Sequence, residues 1–161
     1  MSAVDIRQGD DLRELYRELI LDHARNPRHF RKIEDATHSA QGINPLCGDK
    51  LTLYMRLDEN DVISEAAFEG SGCAISVASA SLLTDLVTGL SRSDALDCFA
   101  EITARLTRAD GHEPRDIGTN LDKLRALDGV REYPSRVKCA TLAWHALNSA
   151  VLGHNTTVST E

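Results

Sequence analysis

Residues 44–49 read Asn-Pro-Leu-Cys-Gly-Asp, a short turn that carries both a thiol and a carboxylate. Pro45 fixes its own φ angle and pushes the residue before it toward extended geometry, whereas Gly48 permits backbone angles that are closed to other residues. The turn is therefore a rigid mount for Cys47 and Asp49. These two side chains can point toward one centre if the backbone folds back at Gly48.

Two further cysteines stand in similarly unusual settings. Cys73 follows Gly-Ser-Gly, and Cys139 follows Pro-Ser-Arg-Val-Lys. Together with Cys47 and Asp49 they form a four-ligand set of the kind that tetrahedral Zn²⁺ takes. The long separations between these cysteines match no local zinc-finger pattern. Spacing alone therefore leaves open both a shared metal site and three separately buried thiols.

The local contexts of the four cysteines differ. Cys98 lies in the middle of a helical pattern with no glycine or proline beside it, and we interpret it as a core residue. Cys73 is expected at the start of a helix, where the helix dipole favours the thiolate. Cys139, just after Lys138 and near the start of the last helix, is expected to receive the same electrostatic support.

Composition limits the classes of protein to consider. The chain has 161 residues, 42% apolar and 27% charged, which is ordinary for one globular domain. We expect a single domain over 1–161, with an ordered core at 10–152 and mobile ends at 1–9 and 154–161. The formal net charge of −7 argues against nucleic acid as a partner, because phosphate binding needs clustered Lys and Arg.

The amino-terminal residues indicate the compartment. They are polar and acidic and contain no apolar signal segment, and no later stretch approaches the length of a membrane span. We therefore expect a protein of the reducing cytoplasm that does not enter the membrane. Cysteines in that compartment tend to be buried, metal-bound or catalytic.

Hydrophobic periodicity predicts an α+β fold. Apolar and polar residues alternate most clearly over 51–57, with a weaker candidate strand at 36–43 and a hairpin partner at 62–69. We expect a three-stranded antiparallel sheet with helices packed on one face and the cysteine site at an exposed end. The predicted helices run from Asp10 or Asp11 to just before Asn26, over 73–88, from Ser91 onward, over 121–127 and over 134–152, with a polar loop at 110–120.

Three motifs resemble those of the U-type iron–sulfur cluster assembly proteins, the family that includes IscU, SufU and the N-terminal domain of NifU. They are residues 44–49, residues 70–76 with the sequence Gly-Ser-Gly-Cys-Ala-Ile-Ser, and residues 136–139 with the sequence Arg-Val-Lys-Cys. Leu-Asp-His at 21–23 with Asn-Pro-Arg at 26–28 resembles the family's exit from its first helix. The resemblance extends over about 12–152, nearly the whole chain.

Within that family the chain is most similar to the SufU branch. Scaffold-type IscU proteins carry a histidine immediately before the third cysteine, whereas this chain has Lys138, a poor ligand at neutral pH. Residues 108–120 resemble the insertion of SufU members. The chaperone-binding motif of IscU is replaced by Tyr-Pro-Ser-Arg-Val-Lys at 133–138.

The resemblance implies one Zn²⁺ held by Cys47, Asp49, Cys73 and Cys139. It implies a sulfur acceptor that works with a SufS-type cysteine desulfurase and supplies a downstream iron–sulfur scaffold complex. Cys47, on its glycine-flanked turn, is the expected sulfur acceptor, and Lys138 could steady anionic sulfur by its charge. Two alternatives stay open: a scaffold whose three cysteines hold an iron–sulfur cluster, and a module in which zinc only maintains the fold.

Overall fold

The computed structural model describes residues 16–107, 122–153 and 157–160. Its four-stranded sheet has the order β3-β2-β1-β4, and the helices pack against it, so the predicted α+β class is confirmed. The strands are β1 His38–Asn44, β2 Asp49–Leu57, β3 Ile63–Ser71 and β4 Thr157–Ser159. The helices are α1 over 16–25, α2 Ala74–Val87, α3 Arg92–Thr107 and α4 Pro134–Val151, with a 3₁₀ helix at Asp122–Glu132. The predicted start of α1 and the whole of the predicted polar loop lie outside the described residues.

The β1–β2 hairpin places the Cys47 turn at one end of the sheet. The two strands are antiparallel, and their last ladder pair is Asn44 with Asp49, so residues 45–48 form the connection. Along β2 the buried positions alternate, and Leu51, Leu53 and Met55 all face the core. This period of two is the pattern that predicted the strand, and it orients every second side chain toward the helices.

The fourth strand is the main difference from the predicted sheet. Thr157–Ser159 pairs in parallel with residues 41–43 of β1, in a segment that was expected to be a mobile tail. Three residues are too few to show hydrophobic periodicity. Their position in the sheet depends on α4 returning the chain to β1, a tertiary effect that local sequence does not encode.

Helices α2 and α4 pack closely and bring their amino-terminal ends together. The Ser79 hydroxyl of α2 donates a hydrogen bond to the Ala140 carbonyl of α4 at 2.5 Å and accepts one from the indole N–H of Trp144 at 3.1 Å. Trp144 is fully buried, and small residues of α4 allow the close approach. The beginnings of both helices therefore lie at the end of the sheet that carries the β1–β2 turn. Within the described part of the chain, no helix is long and apolar enough to cross a membrane.

A buried polar contact fixes the end of α1 against α2. The Ser81 hydroxyl lies 2.7 Å from Nδ1 of His23 and accepts a hydrogen bond from the Arg28 backbone N–H at 2.8 Å. The helix ends at residue 25, before Asn26 and its proline, as the sequence predicts. The interactions of Ser81 hold α1 where its side chains can form a wall beside the cysteines.

Cys98 provides a test of the core. It is fully buried on α3, and burial, with a contribution from Asp94, raises the pKa of its thiol to about 12. We expect Cys98→Ser to lower the free energy of unfolding by roughly 1–2 kcal/mol, because a hydroxyl would be buried with imperfect partners. Urea denaturation measures that loss. Metal content should not change, and a variant that loses its metal would contradict the assignment of Cys98 to the core.

Candidate metal centre

The β1–β2 turn holds a thiol outward and a carboxylate inward. The Cys47 backbone N–H donates a hydrogen bond to the Asn44 carbonyl at 3.2 Å, and Gly48 adopts a positive φ of 73° that favours glycine. Cys47 is exposed, whereas Asp49, the first residue of β2, is only 2% exposed. The structure therefore places both groups at one end of the sheet, as the sequence predicts.

Asp49 connects this turn to the start of α2. Its Oδ1 accepts a hydrogen bond from the Cys73 backbone N–H at 2.8 Å, and its Oδ2 accepts one from the Ser76 hydroxyl at 2.6 Å. Hydrogen bonds that a carboxylate accepts are stronger than hydrogen bonds between neutral groups. The carboxylate orientation is consequently fixed by two donors from the second cysteine motif.

Asn44 and Ser76 extend this network to the third cysteine. The side-chain amide of Asn44, which is fully buried, lies 3.5 Å from both Asp49 Oδ2 and Cys139 Sγ. The Ser76 hydroxyl lies 3.3 Å from the carbonyl oxygen of Cys139. Polar groups that surround potential ligands in this way orient them, as the outer shell of a metal site does.

Three of the four predicted ligands lie together. The sulfur atoms of Cys47 and Cys139 are 3.5 Å apart, and the ligand atoms of Cys47, Asp49 and Cys139 all lie within 4.8 Å of one another. Thiolates held about 2.3 Å from a tetrahedral zinc are about 3.8 Å apart. The donor set and its spacing therefore fit a metal ion of this kind.

Cys73 lies beside this group but outside it. Cys73 is the N-cap residue of α2 and is exposed. Its sulfur lies 3.6 Å from the Ser76 hydroxyl. It nevertheless lines the same cavity as Cys47 and Cys139. Its role as the fourth ligand stays a prediction.

The electrostatic environment of Cys139 differs from the expected one. Burial raises the pKa of this thiol, and its hydrogen-bonding neighbours, first Asp49 and then Cys47 and Cys73, raise it further. Cys139 is the sixth residue of α4 and only 2% exposed. It lies beyond the first turn, where the helix dipole acts, so desolvation has the larger effect. A bound cation would supply the positive charge that its thiolate needs.

The cysteines open into a cavity of about 580 Å³ between α1, α2 and α4. Two of its lining residues are basic, Arg17 and Arg136. Lys138 is half-buried and is not among the lining residues in the described part of the chain, so its expected charge support stays a prediction. Ser76 and Arg136 lie inside the motifs at 70–76 and 136–139, but neither was assigned a role from sequence, since only the fold shows what they contact.

Residues 15–140 match the family described as the NifU-like N terminal domain. The chain belongs to this family. Its resemblance to the U-type proteins, inferred from three motifs, is confirmed. The zinc-dependent sulfurtransferase SufU of Bacillus subtilis (strain 168) is 39% identical over 88% of this chain and 92% of its own. The iron–sulfur cluster assembly scaffold protein IscU of Streptococcus pyogenes serotype M1 is 38% identical over 87% of this chain and 84% of its own.

Solved structures agree with this placement. A crystal structure from Fervidobacterium islandicum AW-1, of a protein assigned as an iron–sulfur cluster assembly scaffold for the SUF system, has a TM-score of 0.72. It is 33% identical and covers 83% of this chain and 94% of its own. A NifU-like amino-terminal domain from Brucella abortus has a TM-score of 0.74 at 21% identity, over 84% and 91% of the two chains, and shares the fold.

Gly72 tests the Asp49 network. A Cβ atom at this position would lie 2.7 Å from Asp49 Oδ1, an atom already held by the Cys73 backbone. We expect Gly72→Ala to displace the carboxylate and to weaken zinc binding by about 10–100-fold, the usual cost of disturbing an outer-shell contact. Chelator competition measures this affinity. Gly129→Ala is the matched control, because a Cβ atom there meets nothing within 4 Å. Equal zinc affinity in the two variants would show that the Asp49 position is unimportant for the metal.

Proposed function

We propose that this protein is a zinc-dependent sulfur acceptor of iron–sulfur cluster assembly. In the cytoplasm it takes persulfide sulfur from a SufS-type cysteine desulfurase and passes it to a downstream iron–sulfur scaffold complex. The observation that carries the proposal is the convergence of two thiols and an anchored carboxylate at one point, with a third thiol on the same cavity. A relative named as a zinc-dependent sulfurtransferase matches nearly the whole chain and supports it.

Cys47, Asp49, Cys73 and Cys139 would hold the metal. Zinc in such a site keeps thiolates deprotonated and adds no redox chemistry of its own. Asp49 is already oriented by Cys73 and Ser76. A carboxylate is a harder ligand than a thiolate, so this donor set makes a less closed site than four cysteines do.

The differing exposure of the thiols gives them different roles. Cys139 is buried on a helix that packs against the core, whereas Cys47 is exposed on a turn. Cys73 is also exposed, at the start of α2, so the choice of Cys47 rests on its place in the glycine-flanked turn. The Cys47 thiolate is proposed to attack the outer sulfur of a persulfide on the desulfurase. A new S–S bond forms at Cys47 as the old one breaks, and the desulfurase cysteine leaves as a thiolate, so the exchange is redox-neutral. Lys138 is proposed to steady the anionic sulfur by its charge.

The surface around Cys47 suits a protein partner. Leu46, its neighbour in the turn, is 70% exposed, and Tyr133, just before α4, is also exposed. The Arg136 guanidinium stacks over the Tyr133 ring at 4.8 Å. Exposed apolar, aromatic and arginine side chains of this kind are typical of interface centres.

A scaffold function is the second candidate, and the similarity to proteins named as IscU favours it. In that case Cys47, Cys73 and Cys139 would hold an iron–sulfur cluster. The residue before the third cysteine bears on this choice. Lys138 occupies the position of the IscU histidine and is a poor ligand at neutral pH, which favours the sulfur acceptor.

Metal analysis separates these two functions. We expect the purified protein to contain about one zinc per chain and no visible absorbance from a cluster, because three thiols and a carboxylate form a tetrahedral zinc site. Elemental analysis and an absorption spectrum of anaerobically purified protein measure both. A brown protein that contains iron would favour the scaffold instead.

Two ligand variants separate metal binding from sulfur transfer. We expect Cys47→Ser to abolish stimulation of cysteine turnover by a SufS-type desulfurase, because a serine hydroxyl cannot hold a persulfide. Asp49→Ala should weaken zinc binding yet retain part of the stimulation once zinc is restored, since Cys47 remains. Desulfurase rates are compared at equal zinc loading. If Cys47→Ser stimulates the desulfurase as well as the parent does, Cys47 is not the acceptor.

A further inference from the structure

The cavity beside the cysteines is lined by two arginines, although the chain as a whole is acidic. Arg17 and Arg136 line it, and in the described part of the chain neither guanidinium has a carboxylate partner within 4 Å. Arg136 stacks on Tyr133, which positions it without neutralising it. Arginine in a cavity is well suited to bind a carboxylate, because its planar fork of N–H donors matches the two oxygens.

Two helix ends add to this charge. Ala74 and Ile75 from the first turn of α2, and Ser135 and Arg136 from the first turn of α4, line the cavity. Neither first turn contains an acidic residue, and neither helix has a side-chain cap. The first backbone N–H groups of a helix have no partner within it and carry partial positive charge. The start of α2 already faces the Asp49 carboxylate through the Cys73 backbone N–H, so the start of α4 is the end that favours a further anion.

The rest of the lining is aliphatic or carries sulfur. Ile20 and Leu21 of α1 line the cavity together with Cys47, Cys73 and Cys139. At about 580 Å³ the cavity falls within the range of small-molecule sites. The lining therefore suits a ligand with an anionic group, a short aliphatic portion and an atom that can approach sulfur.

We propose that this cavity binds a small thiol that bears a carboxylate, of the cysteine or γ-glutamylcysteine type, and that this thiol accepts sulfur from Cys47. The transfer step rests on the proposed function, because it needs sulfur on Cys47. The thiol sulfur attacks the outer sulfur of the Cys47 persulfide, and a new S–S bond forms. The bond between the outer sulfur and Cys47 Sγ breaks, and its electron pair stays on Sγ, which takes up the proton that the attacking thiol loses. No oxidant or reductant is consumed. The products are a small persulfide and the original Cys47 thiol.

A loop of the desulfurase is the competing occupant of the cavity. Its main chain would bring neutral amide groups to the two guanidinium groups and the start of α4, leaving their charge without a partner. A carboxylate matches that charge, so the small anionic thiol fits the lining better.

Direct binding tests the site without any sulfur chemistry. The probe is S-methylglutathione, which carries carboxylates but whose sulfur is blocked, titrated into the zinc-loaded protein in a calorimeter. We expect saturable binding that weakens about tenfold in Arg136→Gln and in Arg17→Gln, the effect of losing one charge-assisted hydrogen bond. Arg25→Gln, an exposed arginine of the same helix as Arg17 that does not line the cavity, should bind like the parent. A flat titration, or equal loss in all three variants, would overturn the binding site.

A matched pair of thiols tests the transfer. Cys47 is loaded with sulfur from sodium tetrasulfide instead of a desulfurase, so that failure of the desulfurase reaction would leave this test intact. The loaded protein then receives either 3-mercaptopropionate or the neutral 2-mercaptoethanol, and small persulfides are alkylated and counted by mass spectrometry.

We expect the carboxylate thiol to react faster and to saturate, even though a chain of net charge −7 should repel it in general. Arg136→Gln should remove that preference, and Arg25→Gln should keep it. If 2-mercaptoethanol reacts equally fast or faster, or if Cys47 takes up no sulfur from tetrasulfide, the transfer step is wrong. The proposed function would not be affected by that result, because stimulation of the desulfurase tests it separately.

Discussion

The carboxylate of Asp49 accepts one hydrogen bond from the backbone of Cys73 and another from the hydroxyl of Ser76. Asp49 belongs to the first hairpin of the sheet, and its two donors belong to the start of α2. Ser76 also reaches the carbonyl of Cys139 on α4. One buried anion thus joins the three cysteine motifs, which lie far apart in the chain. Removing either donor would leave the buried carboxylate short of a hydrogen bond, a costly change in a site of low dielectric.

This anchoring also explains how one site can be both stable and reactive. Asp49 and Cys139 are held by the sheet and a buried helix, whereas Cys47 lies on an exposed turn that makes a single backbone hydrogen bond to Asn44. A ligand on such a turn can move without disturbing the other ligands. In the proposed function, Asp49 and Cys139 keep the metal and Cys47 meets the partner.

Much of the fold and of the site could be predicted from residues that act locally. The alternation along β2, the proline that follows α1 and the glycines around Cys47 and Cys73 each specify local geometry, and the motifs identified the family. The features that sequence missed are tertiary. The pKa of Cys139 depends on burial by distant residues, and β4 depends on where α4 ends. The two arginines likewise line one cavity only in the folded chain, because Arg17 lies on α1 and Arg136 on α4.

The fourth strand has a consequence for how two molecules meet. Without Thr157–Ser159, β1 would lie at the edge of the sheet and would expose a row of unpaired backbone groups, which invites strand pairing between molecules. Because β1 runs directly into the turn of Cys47, a strand of another molecule added at this edge would lie next to the turn that carries a candidate ligand. The three residues of β4 cover part of that edge, so the carboxyl-terminal segment helps to keep other molecules from pairing with the strand that leads into the site.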